Sequence, residues 1–245
     1  VQPEYIIYIK KAAGLNFIRT DSSGLRIGAT TTLRQIERHG TIKALYSALY
    51  EAVRSMAATA VKNMGTIGGN LGNASPAADT APPLLAYAAT LKLVSQQGER
   101  VLPVEEFFLG PGQADISPRE LITEIHIPPL APQSGSSFLK LGRVAADIAK
   151  INVAVYLERA GRTCTRCRVA FGAVAPTPIR VREVEALLEG KEIREDLVET
   201  AGRAGAAAIK PITDNRSSRE YRLKVSRVML AEALRAAWQR AGGEL

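Results

Sequence analysis

The sequence predicts an α+β fold in two parts, and three observations carry that expectation. Short apolar runs of strand length alternate with turn residues and short helical patterns up to Ile127. The segment Ile127 to Ser137, IPPLAPQSGSS, is dense in Pro, Ser and Gly and marks a boundary. Beyond it, three β-like runs suited to an antiparallel sheet give way to helical patterning. A chain of 245 residues, 46% of them apolar, suffices for one large domain or two smaller ones with filled cores.

In the first part, Pro3 to Ile9 (PEYIIYI) reads as a β-rich run, and Leu15 to Thr20 and Leu25 to Ala29 read as strands around a turn at Asp21 to Gly24. Thr32 with Gln35 forms a capping-box pattern for a short helix, LRQIERH. From Lys43 to Ala58, Leu45, Leu49, Val53 and Met56 recur on one face and predict a helix leading into a glycine-rich stretch. Pro82 and Pro83 suit the first turn of a helix running through Ala86 to Ala89. Leu91 to Ser95 and Arg100 to Pro103 read as strands joined across QQGE, and Leu121 to Ile127 alternates as LITEIHI. His126 falls on the polar side of that alternation and reads as an exposed, non-catalytic histidine. Gly110 to Gly112 (GPG) reads as a sharp turn.

In the second part, Phe138 to Gly142, Ile151 to Leu157 and Cys167 to Val174 are the strand candidates. Helices are expected over Arg180 to Leu188, Ile193 to Ile209 and about Arg219 to Ala241. Val225, Val228, Met229, Leu234 and Trp238 supply the last helix's apolar positions, which places Trp238 in the core. Arg216, Arg219, Arg222, Lys224 and Arg227 cluster at its start and read as a solvated face, with a subunit contact as the alternative.

The chemistry concentrates in Lys62 to Asp79, KNMGTIGGNLGNASPAAD. It holds Gly65, Gly68, Gly69 and Gly72 within eight residues, interleaved with Thr66, Asn70, Asn73 and Ser75. Such density permits positive φ angles and close approach to another body. N–H groups turned to one side make an anion nest, with hydroxyl and amide donors beside them. No basic residue lies inside the glycine run, so phosphate there is held by N–H and O–H groups, while Asp79 offers acceptors to a ribose or ring N–H. This chemistry suits a pyrophosphate-bearing nucleotide cofactor. The pattern G-x-x-G-G-x-x-G is neither a Rossmann turn nor a P-loop, and helical rather than strand-like spacing precedes it. From the residues alone, a glycine-rich connection between packed elements is equally open.

The formal net charge is +8, but Lys and Arg are interleaved with Glu and Asp and only 5% of residues are aromatic. A basic stripe with a stacking platform is not present, so nucleic acid is not indicated. No apolar run approaches the roughly 20 residues of a membrane span, and no signal peptide is visible. Cys164 and Cys167 form a single C-x-x-C with no second pair, and His39 and His126 are remote in sequence, so no metal site is read. On a strand, residues three apart point to opposite faces, and the pair reads as incidental thiols of a reducing, cytoplasmic compartment.

TIGGN (Thr66 to Asn70) followed by NASPAAD (Asn73 to Asp79) resembles the second flavin loop in the FAD-binding subunits of the molybdenum hydroxylases, the family of xanthine dehydrogenases and aerobic carbon monoxide dehydrogenases. The similarity covers nearly the whole chain. PEYIIYIKKAAGLNFI and GLRIGATTTLRQIE resemble the segments leaving the family's first FAD-binding lobe and entering its second. VLPVEEFFLGPG and ELITEIHIP resemble later segments. FLKLG, DIAKINVAV and FGAVAPTPIRVREVEALLEG resemble the C-terminal flavoprotein domain. The resemblance implies a FAD-binding domain of molybdopterin dehydrogenase type over residues 1–130, two-lobed with an incomplete first lobe. A carbon monoxide dehydrogenase flavoprotein C-terminal-like domain of antiparallel sheet plus helices is implied over 134–241. The family's earlier loop, of the type AGGTDL, supplies the other half of the pyrophosphate cradle; it has no match here and is expected upstream of Val1.

Carried over by residue, the resemblance assigns Gly65, Thr66, Ile67, Gly68, Gly69 and Asn70 to cofactor binding, with Thr66, Gly69 and Asn70 on the FAD pyrophosphate. Asn73 and Asp79 are assigned to the ribityl or flavin end, Ile122 to packing near a ring system, and Lys140 to a cation near the cofactor. Asp147 to Lys150 is similar to a mobile stretch near the flavin. The implied function is electron transfer: substrate oxidised at a molybdopterin centre on a large partner, electrons passing through [2Fe–2S] clusters on a small one, and FAD in this chain delivering them to NAD⁺, quinone, oxygen or another acceptor. No acid, base or nucleophile is expected, because the cofactor carries the redox chemistry. A structural subunit with this fold but no flavin is the alternative.

Overall fold

A turn at Ser22 and Ser23 folds β1 (Ile18–Asp21) back on β2 (Gly24–Gly28), and the Ser23 N–H donates to Asp21 Oδ1 at 2.8 Å. In this computed structural model, which describes residues 3–244, the hairpin begins three residues later than the sequence suggests. Pro3 to Ile9 forms no strand. Tyr5, Ile6 and Ile7 are 78%, 88% and 82% exposed, since β propensity makes no strand where no neighbouring edge pairs with it.

The capping box is reciprocal: Gln35 N–H donates to Thr32 Oγ1 at 3.2 Å and Thr32 N–H to Gln35 Oε1 at 2.8 Å, starting α1 (Leu33–Arg38). The long helix expected from Lys43 to Ala58 is instead two, α2 (Gly40–Leu45) and α3 (Ser47–Ser55), broken at Tyr46, which leaves helical geometry with ψ 57°. The break turns Leu45 outward, while Ile42, Leu49 and Val53 keep the buried face. Two short helices follow, α4 (Thr59–Met64) and α5 (Ile67–Gly72). Helix α6 (Ala81–Ala86) is buried throughout and stops earlier than expected, because Ala88 takes a positive φ of 52°.

The hairpin of β3 (Thr90–Ser95) and β4 (Gly98–Pro103) leads through α7 (Val104–Phe107) to β5 (Phe108–Gly110) and β6 (Gln113–Ala114), which flank the GPG turn. Strand β7 (Leu121–Ile127) then enters between the two hairpins, giving the antiparallel order β1-β2-β7-β3-β4. His126 is half-buried on β7, its Nε2 2.7 Å from Ser23 O.

The second sheet, order β11-β10-β9-β8, comprises β8 (Ser134–Leu141), β9 (Ile151–Ala160), β10 (Thr163–Gly172) and β11 (Ile179–Arg180). Helices α8 (Arg182–Leu188), α9 (Glu195–Ala208) and α10 (Arg219–Arg240) follow. Ser134 to Ser137, read as linker, belongs to β8. Small residues there let α10 approach: a Cβ on Gly135 would lie 2.0 Å from Ala237 O, and Ser137 Oγ donates to Ala233 O at 2.7 Å.

Both faces of this sheet are covered. Along β9, Ile151, Val153, Val155 and Leu157 join the core shared with the C-terminal helices, whereas Ala154 and Tyr156 join the core of the first half. That accounts for the near-continuous apolar run INVAVYL, since a strand covered on both faces does not alternate. Asn152 is the one polar residue inside it, fully buried on the face toward the first half.

Two further expectations change. The register of β10 shifts between Cys164 and Arg166, and the extra residue cancels the alternation, so both cysteines are buried in one core rather than on opposite faces. Hydrogen bonding with the neighbouring Cys164 thiol, and then burial, push the Cys167 thiol well up. The basic cluster is not one solvated face, because Arg222 is buried, donating to Ala173 O at 3.0 Å and Asp214 Oδ1 at 2.7 Å. Trp238 lies in the core, but Val228 faces outward.

Candidate functional site

The glycine run is not an irregular loop. Thr66 pairs with Thr32 in an isolated bridge and caps α5, its Oγ1 accepting from Gly69 N–H at 3.1 Å. None of Gly65, Gly68, Gly69 or Gly72 is among the described glycines with positive φ. The glycines serve close approach instead. A Cβ on Gly68 would meet Ala29 Cβ and O at 2.7 Å, and one on Gly69 would stand 3.0 Å from Thr66 Oγ1. The first N–H groups of α5 are also already used: Ile67 N–H donates to Thr31 O at 3.1 Å and Gly68 N–H to Ala29 O at 2.9 Å. Hydroxyl and amide groups are therefore the donors left to a ligand.

Thr30 and Thr66, with their hydroxyls, line a cleft of about 360 Å³, whose walls also include Ala29, Gly68, Gly69 and Ile122. Thr30 is the informative member. Its side chain is buried, yet Oγ1 has no hydrogen-bond partner among the described residues. A hydroxyl left without a partner at the wall of a cleft is a group that a phosphate oxygen can satisfy. Lys10 also lines the cleft, and its Nζ donates to the carbonyl of Met64, so the fold brings a cation to a run that has none of its own.

The other end of the stretch is different in kind. Asp79 is buried; Lys140 Nζ lies 2.6 Å from Oδ2, and Asn152 Nδ2 donates to Oδ1 at 2.7 Å. Sheet register explains the pairing: Lys140 and Asn152 are cross-strand neighbours on β8 and β9. Gly172, opposite Asn152 on β10, makes room, since a Cβ there would lie 2.3 Å from Asn152 Oδ1. Burial raises the Asp79 carboxyl above its ordinary range, opposed by Lys140 and Asn152. Each carboxylate oxygen keeps a further lone pair. The two ends are linked through Thr80, whose Oγ1 donates to Asn70 Oδ1 at 2.6 Å.

The assigned residues thus fall into distinct places. Thr66, Gly68, Gly69 and Ile122 line the glycine cleft, and Asn73 is exposed at the end of α5. Gly65 packs toward Leu33, and the Ile67 side chain is core, so neither presents a side chain to the cleft. Lys140 borders a second cleft of about 310 Å³ with Arg54, Ser55, Ala57 and Ala145. Sequence reasoning missed Thr30, Lys10 and Asn152. Only Asn152 carried a signal, as a polar residue inside an apolar strand.

The family model of the FAD binding domain in molybdopterin dehydrogenase matches residues 1–130, and that of the CO dehydrogenase flavoprotein C-terminal domain matches 136–237. The chain belongs to this family of molybdenum hydroxylase FAD subunits. It is 34% identical to the glyceraldehyde dehydrogenase medium chain of Sulfolobus acidocaldarius, over 96% of this chain and 83% of the relative. It is 32% identical to the xanthine dehydrogenase FAD-binding subunit of Escherichia coli O157:H7, over 98% and 84%. Its fold superposes on a chain of the carbon monoxide dehydrogenase of Hydrogenophaga pseudoflava with a TM-score of 0.94 and 33% identity, covering 98% of this chain and 84% of that one.

As a family member, the chain is an α+β oxidoreductase subunit carrying a FAD-binding domain, and the family's partner subunits carry molybdopterin and iron–sulfur centres. Among the described residues no helix is long and apolar enough to cross a membrane.

Proposed function

We propose that this FAD subunit receives electrons from the iron–sulfur clusters of a small partner, fed by a molybdopterin-bearing large partner, and delivers them to an external acceptor such as NAD⁺ or a quinone in a cytoplasmic complex. Bound FAD supplies the redox chemistry. The observation that carries the site assignment is the buried, partnerless Thr30 hydroxyl beside Thr66, Gly68 and Gly69.

The chain's own residues position and exclude. Thr30 and Thr66 would offer hydroxyl donors to the pyrophosphate, Gly68 and Gly69 hold the cleft wall close against Ala29 and Thr66, and Lys10 would supply positive charge. Ile122 would pack on a ring face; its Cδ1 lies 3.9 Å from where a Cβ on Gly72 would stand. Asn70 keeps its amide N–H₂ free while Thr80 fixes its oxygen. Lys140, held by Asp79 at the second cleft, would supply positive charge to the flavin end, which would favour a negatively charged reduced ring.

The test uses the purified complex. Flavin removed by chaotropic salt should leave substrate-driven bleaching of the iron–sulfur bands intact and abolish acceptor reduction; restoring FAD should return it. Undiminished acceptor reduction without flavin would sink the electron path. A Thr30→Val, Thr66→Ala double variant that retains FAD through desalting as firmly as the unaltered chain would sink the site assignment.

A further inference from the structure

Asn152 is the residue that the apolar run of β9 does not explain. It is fully buried in a strand where an aliphatic side chain would carry no desolvation penalty. Only one end of its amide is engaged: Nδ2 donates to Asp79 Oδ1 at 2.7 Å, whereas Oδ1 has no hydrogen-bond partner among the described residues. A buried amide kept as a structural cross-link is ordinarily satisfied at both ends. Strand β10 nevertheless gives up a side chain to admit it, since any Cβ at Gly172 would crowd Asn152 Oδ1. What the fold preserves is the N–H aimed at Asp79.

The two oxygens of Asp79 each take one donor from a different strand, Oδ2 from Lys140 Nζ on β8 and Oδ1 from Asn152 on β9. A donor at each oxygen fixes the plane of the carboxylate, whereas Lys140 alone would leave it free to turn about its Cβ–Cγ bond. Lys140 is the charged group in contact with the carboxyl. Helix α3 adds the Ser55 carbonyl, which accepts from Lys140 Nζ at 3.4 Å, and places Arg54 at the rim of the second cleft; β10 adds the uncharged Gly172. Burial disfavours the ionised carboxyl, and the Lys140 charge and the Asn152 N–H oppose that. Loss of the Asn152 donor therefore moves Asp79 toward its neutral form and leaves the charge on Lys140 uncompensated.

We propose that Asn152 is a positioning residue for the cofactor: from β9 it holds the Asp79 carboxylate ionised and in one orientation, so that Asp79 and Lys140 present a balanced charge to the flavin end. The inference rests on the placement of the flavin end beside this pair. Asn152 itself touches no cofactor atom and acts through Asp79.

The test is the midpoint potential of the flavin in the purified complex, read by spectroelectrochemical titration alongside urea denaturation of the same variants. Asn152→Leu keeps the side-chain volume and removes the N–H. It should raise the potential, because an uncompensated Lys140 favours the anionic reduced ring. A tenfold gain in affinity for reduced over oxidised flavin corresponds to about 30 mV. Asn152→Ser, which draws the donor back from Asp79, should shift the potential the same way and serves where the leucine variant does not fold. Asp79→Asn should also raise it, and Asn152→Leu added to Asp79→Asn should shift it no further. A potential moved by Asp79→Asn but unmoved by both Asn152 variants would make Asn152 a packing residue and overturn the inference, with the flavin placement left standing. An unmoved potential in Asp79→Asn would overturn the inference and the placement together. Additive shifts in the double variant would show that Asn152 does not act through Asp79, and would also overturn it.

Discussion

The two ends of the stretch from Lys62 to Asp79 use the same kinds of residue to opposite purposes. At Thr66 to Asn73 the side-chain hydrogen bonds span 3 and 10 residues, several of the residues sit at a cleft, and one neighbouring hydroxyl has no partner among the described residues. At Asp79 the bonds reach 61 and 73 residues along the chain, and the carboxylate is buried. On the proposed reading, polar groups at the first end are kept for a ligand, whereas at the second they join the two halves. Substitutions should therefore separate into those that unfold and those that only release FAD.

The largest effect is expected at the buried end. Lys140→Met strands the Asp79 carboxylate and should destabilise the fold by about 3–5 kcal/mol, read by urea denaturation. Adding Asp79→Leu should recover part of that loss, and no recovery would show that the pair is not what holds the halves together. Gly68→Ala should cost about 1–3 kcal/mol, because its methyl group meets the Ala29 backbone, whereas Gly72→Ala, with 3.9 Å to Ile122, should be mild. Thr66→Ala removes the cap of α5 and should cost about 1 kcal/mol together with weaker FAD retention.

Thr30→Val sharpens the contrast most. It deletes a hydroxyl without a partner, so melting temperature should hold or rise, while FAD affinity measured by equilibrium dialysis falls. A fall in both would show that the hydroxyl is structural. The smallest effect concerns the segment beside the second cleft. Hydrogen bonding from Arg143 and the Ile148 N–H holds the Asp147 carboxyl down at about 2. A depressed carboxyl contributes fully above its unfolded value of 3.8 and loses that contribution as pH falls through about 2. The Ile148 amide resonance should follow that low transition; titration near the ordinary carboxylate value would show the clasp is not formed in solution.

Two apolar runs show how far pattern reaches. PEYIIYI and INVAVYL have similar β propensity, but only the second is a strand, because β8 and β10 flank it and cores cover both its faces. Glycine density singled out this segment but suggested the wrong use of it: Gly68 packs closely against Ala29, and the glycines take no left-handed turns. Likewise C-x-x-C spacing could not reveal the bulge that brings both thiols to one core.

Composition, periodicity and the motif strings by themselves determined the α+β class, most strands and helices, and the family. These depend on neighbours a few residues apart, which the sequence displays directly. Tertiary structure alone decided that Asp79 closes on Lys140 and Asn152, that the Thr30 hydroxyl has no partner among the described residues, that Lys10 reaches the glycine cleft, and that Arg222 is buried. Each of those depends on sheet register and on what packs across it, and a charge or hydroxyl acquires its chemical meaning only when the groups around it are fixed.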